Sequence, residues 1–182
     1  YPRIVLEKEN KNKKELLTNL FTTYIEKDLV SKYGIEYREK ALHLLKILAH
    51  SLGNIINYES ICNQSGLSYR EVKEILPILE DTYTISIVKP FYKNILNELR
   101  KNPKIYFIDY GLRNCILENF DKIDYDHLYE NFVLNEIKRK YKINYWRTTS
   151  KAEVDFVVQQ KGKIIPIEVK TGKNWGSMRE VK

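Results

Sequence analysis

Cysteine is scarce: Cys62 and Cys115 are the only two in 182 residues, with no C-x-x-C and no spacing that relates them to the three histidines. That pattern supports neither a zinc site nor a disulfide scaffold, and a reducing cytoplasm is the expected setting. No apolar run approaches the roughly 20 residues that cross a bilayer, and Tyr1-Pro2-Arg3 opens no signal peptide, so no membrane partner is expected. The single methionine is Met178, so the sequence reads as a fragment or a processed chain. No G-x-x-x-x-G-K-[ST] occurs, which removes ATP hydrolysis from what this stretch is expected to do. No internal repeat or low-complexity segment is present.

What remains is the composition of a globular protein, 43% hydrophobic and 30% charged. Thirty-one basic residues against 24 acidic give a net charge of +7, which favours a polyanionic partner such as nucleic acid. The interspersed signs make the inference a weak one.

Residues 11–33 read as an amphipathic linking helix, with Leu16, Leu17, Leu20, Phe21, Tyr24, Ile25, Leu29 and Tyr33 at three- and four-residue steps before Gly34. Three short helices follow. The first carries Ala41, Leu44, Leu45, Ile47 and Leu48, and the second spans Tyr58–Cys62. After a Gly66–Leu67 turn, the third opens on a Ser68-x-x-Glu71 capping box and runs to about Leu79. Pro77 is expected to kink it or end it early. Thr82–Val88 and Lys104–Ile108 alternate as two strands of a ribbon. Helix, helix, Gly turn, helix, ribbon is the pattern of a winged helix-turn-helix. In a DNA-reading version Arg70 and Lys73 would face the groove, although Glu71 and Glu74 share that helix. Lys89, Lys93, Arg100, Lys101 and Lys104 are the better phosphate candidates, against the alternative of a solvated basic loop. A short helix, Leu112–Leu117, and an acidic stretch, Asp121–Asp126, then lead to a second module. The expected division is 1–36, 37–126 and 127–182.

From residue 127 the order is helix, strand, strand, strand: about Tyr129–Tyr141, Ile143–Thr148, Val154–Gln160 and Lys163–Val169. Lys161–Gly162 is a two-residue hairpin turn. It pairs residues whose numbers sum to 323, as Gln160 and Lys163 do, and so opposes Asp155 to Glu168, with Lys170 on the same face. The other face, Val154, Phe156 and Val158 against Ile165, Ile167 and Val169, reads as core. Helical phase puts Glu130 on the stripe of Val133, Leu134, Ile137 and Tyr141, aimed at the sheet, and leaves Glu136 on the surface. Leu128 and Phe132 fall on the opposite side and are expected to pack on the preceding module. Glu130, Asp155 and Glu168 suit Mg²⁺ or Mn²⁺, with Lys170 orienting a water and Arg147 or Lys151 gripping phosphate. The competing reading is ordinary cross-strand ion pairing, Glu153–Lys170 included.

Asp155, twelve intervening residues and Glu168-Val169-Lys170 resemble the PD-(D/E)xK nuclease signature. With Glu130 ahead of the sheet, the set is similar to that of archaeal Holliday-junction resolvases. Val154 stands where proline is usual. Tyr1-Pro2-Arg3-Ile4-Val5, Lys104-Ile105-Tyr106-Phe107-Ile108-Asp109-Tyr110-Gly111-Leu112-Arg113 and Glu130-Asn131-Phe132-Val133 extend the likeness, as do Tyr145-Trp146-Arg147-Thr148, Glu153-Val154-Asp155-Phe156 and Ile165-Pro166-Ile167-Glu168-Val169-Lys170. Together they resemble the C-terminal region of a prokaryotic AAA-type ATPase family. The resemblance implies an α+β chain: a winged helix followed by a PD-(D/E)xK restriction-endonuclease-like domain, with the ATPase domain of the full-length protein as partner. It implies DNA binding and Mg²⁺-dependent endonuclease-like hydrolysis, and it is compatible with an oligomer. The alternative is a non-catalytic DNA- or protein-binding module that keeps the fold. Ser177-x-x-Glu180 reads as the start of the next core helix, so the nuclease fold is expected to be truncated at its C-terminus.

Overall fold

A computed structural model describes residues 1–24, 27, 30, 31, 34, 37–92, 101–121, 124–148, 150 and 152–171. The Ser177-x-x-Glu180 box, Lys93, Arg100 and Lys151 lie outside them, as do Ile25, Leu29 and Tyr33 of the linking helix. The architecture is mixed α+β. In order, the elements are α1 (Pro2–Leu6), α2 (Asn10–Tyr24), α3 (Tyr37–His50), α4 (Tyr58–Ser65), α5 (Tyr69–Asp81), β1 (Ile85–Pro90) and β2 (Lys104–Phe107). Then come α6 (Tyr110–Ile116), α7 (Tyr125–Ile137), β3 (Ile143–Arg147), β4 (Glu153–Gln160) and β5 (Lys163–Ile167). No helix among the described residues is long and apolar enough to cross a membrane.

Local chemistry explains most boundaries. Asn57 caps α4 by accepting from the Ser60 amide, and Gly66, at φ 72°, ends it in the left-handed conformation. Ser68 and Glu71 form the reciprocal capping box that opens α5. Pro77 does not end α5, which continues to Asp81. The missing amide costs one hydrogen bond, but the buried stripe of Val72, Ile75, Leu76 and Leu79 holds the turn in place. Past the helix the amides of Tyr83 and Thr84 donate to the Glu80 and Leu79 carbonyls, with Tyr83 at φ 57°. This Schellman ending uses residues 82–84, so β1 starts at Ile85 and not at Thr82. Asp124, from the acidic stretch, caps α7 and starts it four residues before the expected Tyr129.

One five-stranded sheet, ordered β2-β1-β3-β4-β5, runs through both halves of the chain. The ribbon β1–β2 is antiparallel, and β1 joins β3 in parallel through Lys89↔Asn144 and Pro90↔Tyr145. Lys161 and Gly162, at φ 50° and 77°, make the tight turn between β4 and β5. A single core gathers Leu44, Leu45, Leu48, Leu76, Phe107, Leu134 and Phe156 from both halves. The face assigned to core thins out along β5, where Ile165 is exposed.

The outer edge of β2 is closed by other parts of the chain. Gly53 donates to the Ile105 carbonyl and Ile56 to that of Pro103. Asn131, buried in α7, accepts from the Phe107 amide at 2.9 Å and donates to the Phe107 carbonyl at 2.8 Å, and Asn135 adds donations to Phe107 and Ile108. Phe132 therefore points away, 61% exposed, and does not pack on the preceding module. The amide pair, not the aromatic, docks the helix.

Candidate active site

The β4–β5 ladder has the 323 register from Gln160↔Lys163 to Phe156↔Ile167, and it ends there, one pair short of Asp155 and Glu168. The reason lies on the other side of β4. Against β3 the partners are Asn144↔Val157 and Trp146↔Val154, so Asp155 and Phe156 both stand opposite Tyr145. That extra residue is a β-bulge, which breaks the two-residue alternation and re-aims a side chain. Phe156, Val157 and Val158 are buried in succession, so both faces of β4 are covered there. The Asp155 carboxylate is half-buried and accepts the Val169 amide at 2.8 Å, in place of a ladder bond.

Glu130 approaches from α7, as its helical phase requires, and accepts a hydrogen bond from the Tyr106 hydroxyl at 3.0 Å. Burial, then the charge of Asp155, pushes the Glu130 carboxyl above its ordinary pKa. Asp155 is raised by burial and by Glu168, against the opposing pull of the Val169 amide. Tyr106 is pushed far up by burial and by Glu130, so its hydroxyl stays a donor. Asp155 is thus the electrostatic centre between Glu130 and Glu168. Glu168 itself is more exposed and is paired with Lys170 at 2.6 Å, an interaction that also raises the lysine's pKa. Glu136 lies on the surface with Arg139.

The charge of Lys104 lowers the pKa of both Glu130 and Asp155, and this lysine is only 3% exposed and ion-paired with Glu153. As a phosphate contact it is ruled out, because its ammonium is buried under the sheet end and already matched. Arg147 reaches the other oxygen of Glu153 at 3.4 Å. Glu153 therefore pairs with Lys104 and Arg147, and the cross-strand pair with Lys170 is not formed. At the end of the motif the Thr171 hydroxyl donates to Asp126, tying the segment after β5 to the start of α7.

The remaining basic candidates are dispersed. Arg70 is paired with Glu74 at 2.9 Å, and Lys73 lies over the Tyr58 ring at 4.0 Å. Lys89 is exposed beside the opening between β1 and α7, whereas Lys101 lies with Arg147 on a different groove. Three carboxylates offer the oxygen chemistry of a hard divalent ion. Glu130 and Asp155 supply two of them, coupled through charge, and Glu168 is engaged with Lys170. Among the described residues no three His, Cys, Asp or Glu side chains stand close enough to hold a metal ion as they are.

Sequence reasoning takes Lys104 for a phosphate contact and assigns no site role to Tyr106 or Gly53. Gly53, at φ 73°, passes so close to α7 that a Cβ there would lie 2.6 Å from His127 Cδ2 and 3.1 Å from Glu130 Oε2. Gly53→Ala is therefore expected to lower the unfolding free energy by about 2 kcal/mol, from left-handed strain together with displacement of the helix. Urea unfolding that moves by less than about 0.5 kcal/mol would show that α7 is free to shift.

Two family models match the chain. Residues 1–123 match the family described as domain of unknown function DUF8612, about two-thirds of the sequence. The chain belongs to the DUF8612 family. Residues 125–179, the part that carries α7 and β3–β5, match a second domain of unknown function, DUF4143. Uncharacterized proteins of Mycobacterium bovis and Mycobacterium tuberculosis are each 26% identical to this DUF8612 chain over 159 residues, covering 82% of it and 36% of their own length. An uncharacterized protein of Methanocaldococcus jannaschii is 25% identical over 153 residues, covering 79% of this chain and 32% of its own. The chain thus spans about a third of the length of these relatives. No solved structure matches it.

Proposed function

We propose that this chain is the DNA-processing part of a larger ATPase-linked protein, with α3–α5 and the β1–β2 ribbon acting as a winged helix and the rest as a PD-(D/E)xK-like endonuclease. One observation carries the reading: at the β4 bulge Asp155 accepts the Val169 amide, next to Glu168 with its Lys170 partner, and its charge raises the Glu130 carboxyl. Two half-buried carboxylates, each raised in pKa chiefly by burial, are poorly neutralised as they stand, which is the condition a cation relieves. Mg²⁺ or Mn²⁺ on Glu130, Asp155 and Glu168 would supply charge stabilisation at a scissile phosphate and a more acidic water. Tyr106 fixes the Glu130 carboxylate by donating to it, and the Val169 amide fixes Asp155. Lys170, once off Glu168, orients the attacking water.

A second reading is favoured by a specific feature. Glu168 is engaged with Lys170 and Lys104 already places a cation under the carboxylates, as suits a non-catalytic DNA- or protein-binding module.

Calorimetry with Mn²⁺ separates the two. The endonuclease reading expects saturable binding, weakened about tenfold or more by Glu168→Gln and left intact by Glu136→Gln. Absence of Mn²⁺ binding in the unsubstituted chain would establish the module instead, and equal loss at Glu136 would refute the assigned ligands.

A further inference from the structure

A groove of about 680 Å³ opens where β1 and β3 end together, and its walls include Tyr92, Lys101, Asn102, Trp146, Arg147 and Thr148. Among the described residues no acidic one lines it, in a chain where acidic and basic residues are elsewhere interspersed. Its floor is held rigid: the Tyr145 hydroxyl donates to the Asn102 carbonyl at 2.7 Å, and the Phe91 amide donates to the Tyr145 carbonyl. Tyr92 and Trp146 are both partly exposed, and Lys101 is exposed.

From this geometry we infer that the groove binds an unpaired polynucleotide strand, with bases stacking on Tyr92 and Trp146 and phosphates on Lys101 and Arg147. The inference rests on the DNA-processing reading and deepens it by naming the substrate as single-stranded. Aromatic faces beside cations are the sequence-tolerant way to hold single strands, because every base has a face to stack. A duplex keeps those faces inside its own stack, so a groove of this kind discriminates against it. The same groove leads to the carboxylates. Arg147 pairs across the ladder with Glu153, and two strand residues, about 7 Å, separate Glu153 from Asp155. A strand gripped at Arg147 therefore continues toward Asp155.

The test uses the full chain with Trp175→Phe, which leaves Trp146 as the only tryptophan, in EDTA so that metal plays no part. Titration with a 12-nucleotide oligothymidine is expected to quench Trp146 fluorescence saturably, and a 12-base-pair duplex to bind at least about tenfold more weakly. Anisotropy of a labelled oligothymidine should show roughly tenfold weaker binding for Tyr92→Ala and for Trp146→Ala. Trp146→Phe, which keeps a stacking ring and guards against misfolding, should lose less. Arg147→Gln should weaken binding and flatten its salt dependence by about 0.7 per phosphate contact, whereas Arg139→Gln should not. Oligouridine in place of oligothymidine distinguishes an RNA strand from a DNA strand on the same groove. Equal binding of the duplex, indifference to both aromatic substitutions, or no saturable binding of any oligonucleotide would overturn the inference. Because Mn²⁺ binding and cleavage are measured separately, failure here leaves the endonuclease reading standing, and its failure leaves this one.

Discussion

Replacing Lys104 with methionine is expected to lower the unfolding free energy by about 3 kcal/mol, at the lower end of the range for breaking a buried ion pair. Lys104 is 3% exposed and its partner Glu153 is largely covered too. Methionine fills similar volume, so the loss is one of charge: Glu153 is left with Arg147 alone, and Glu130 and Asp155 lose a cation that pulls both carboxyl pKa values down. Adding Glu153→Gln should restore part of the stability, because the double variant no longer strands a carboxylate. Urea unfolding of the two single variants and the double gives the coupling directly. A loss below about 1 kcal/mol for Lys104→Met would mean that the pair is solvated and contributes as surface pairs do.

Asp155→Asn is expected to have opposite effects on stability and on chemistry. Cleavage by the full-length protein with Mg²⁺ or Mn²⁺ should fall about 100- to 1,000-fold, the scale of losing one preorganised group at developing charge. The fold, in contrast, should become more stable near neutral pH without metal. Burial raises Asp155 above the ordinary carboxylate range, and the same holds for Glu130. A group whose folded pKa is raised contributes stability that is fully present below its unfolded pKa and lost as pH rises through the folded value. Unsubstituted protein should therefore lose stability as pH climbs from the normal carboxylate range toward neutrality, and Asp155→Asn should lose less of it. Asparagine can still accept the Val169 amide, so the turn after β5 keeps its anchor. Thermal unfolding between pH 4 and 7, without divalent ions, measures this. A variant less stable than its parent at pH 7 would show that Asp155 is held by its neighbours and not strained by them.

The two substitutions probe features of different visibility in the sequence. The 323 register was readable because Lys161 and Gly162 both take positive φ, which sets a two-residue turn and with it every pair that follows. The capping box of α5 was equally local. The bulge was not readable: nothing in Val154–Val157 marks an extra residue, and it arises from how β4 meets Tyr145 of a neighbouring strand. Lys104 was misread because a lysine near a basic loop looks solvated, and its burial depends on Glu153, which lies far along the chain. Asn131 sat inside a recognisable stretch without a role, since an amide's partner becomes known only when the edge of β2 is placed beside it.

The seam between β1 and β3 consists of two residue pairs, Lys89↔Asn144 and Pro90↔Tyr145, yet Lys104 and Tyr106 reach across to Glu153 and Glu130. A slip of one residue along that seam, about 3.3 Å, would carry the ammonium out of contact with Glu153 and the hydroxyl away from Glu130. The carboxylate cluster therefore reports the alignment of the two halves: any pull on residues 1–92 along the strand direction is converted into a change of charge balance at Asp155.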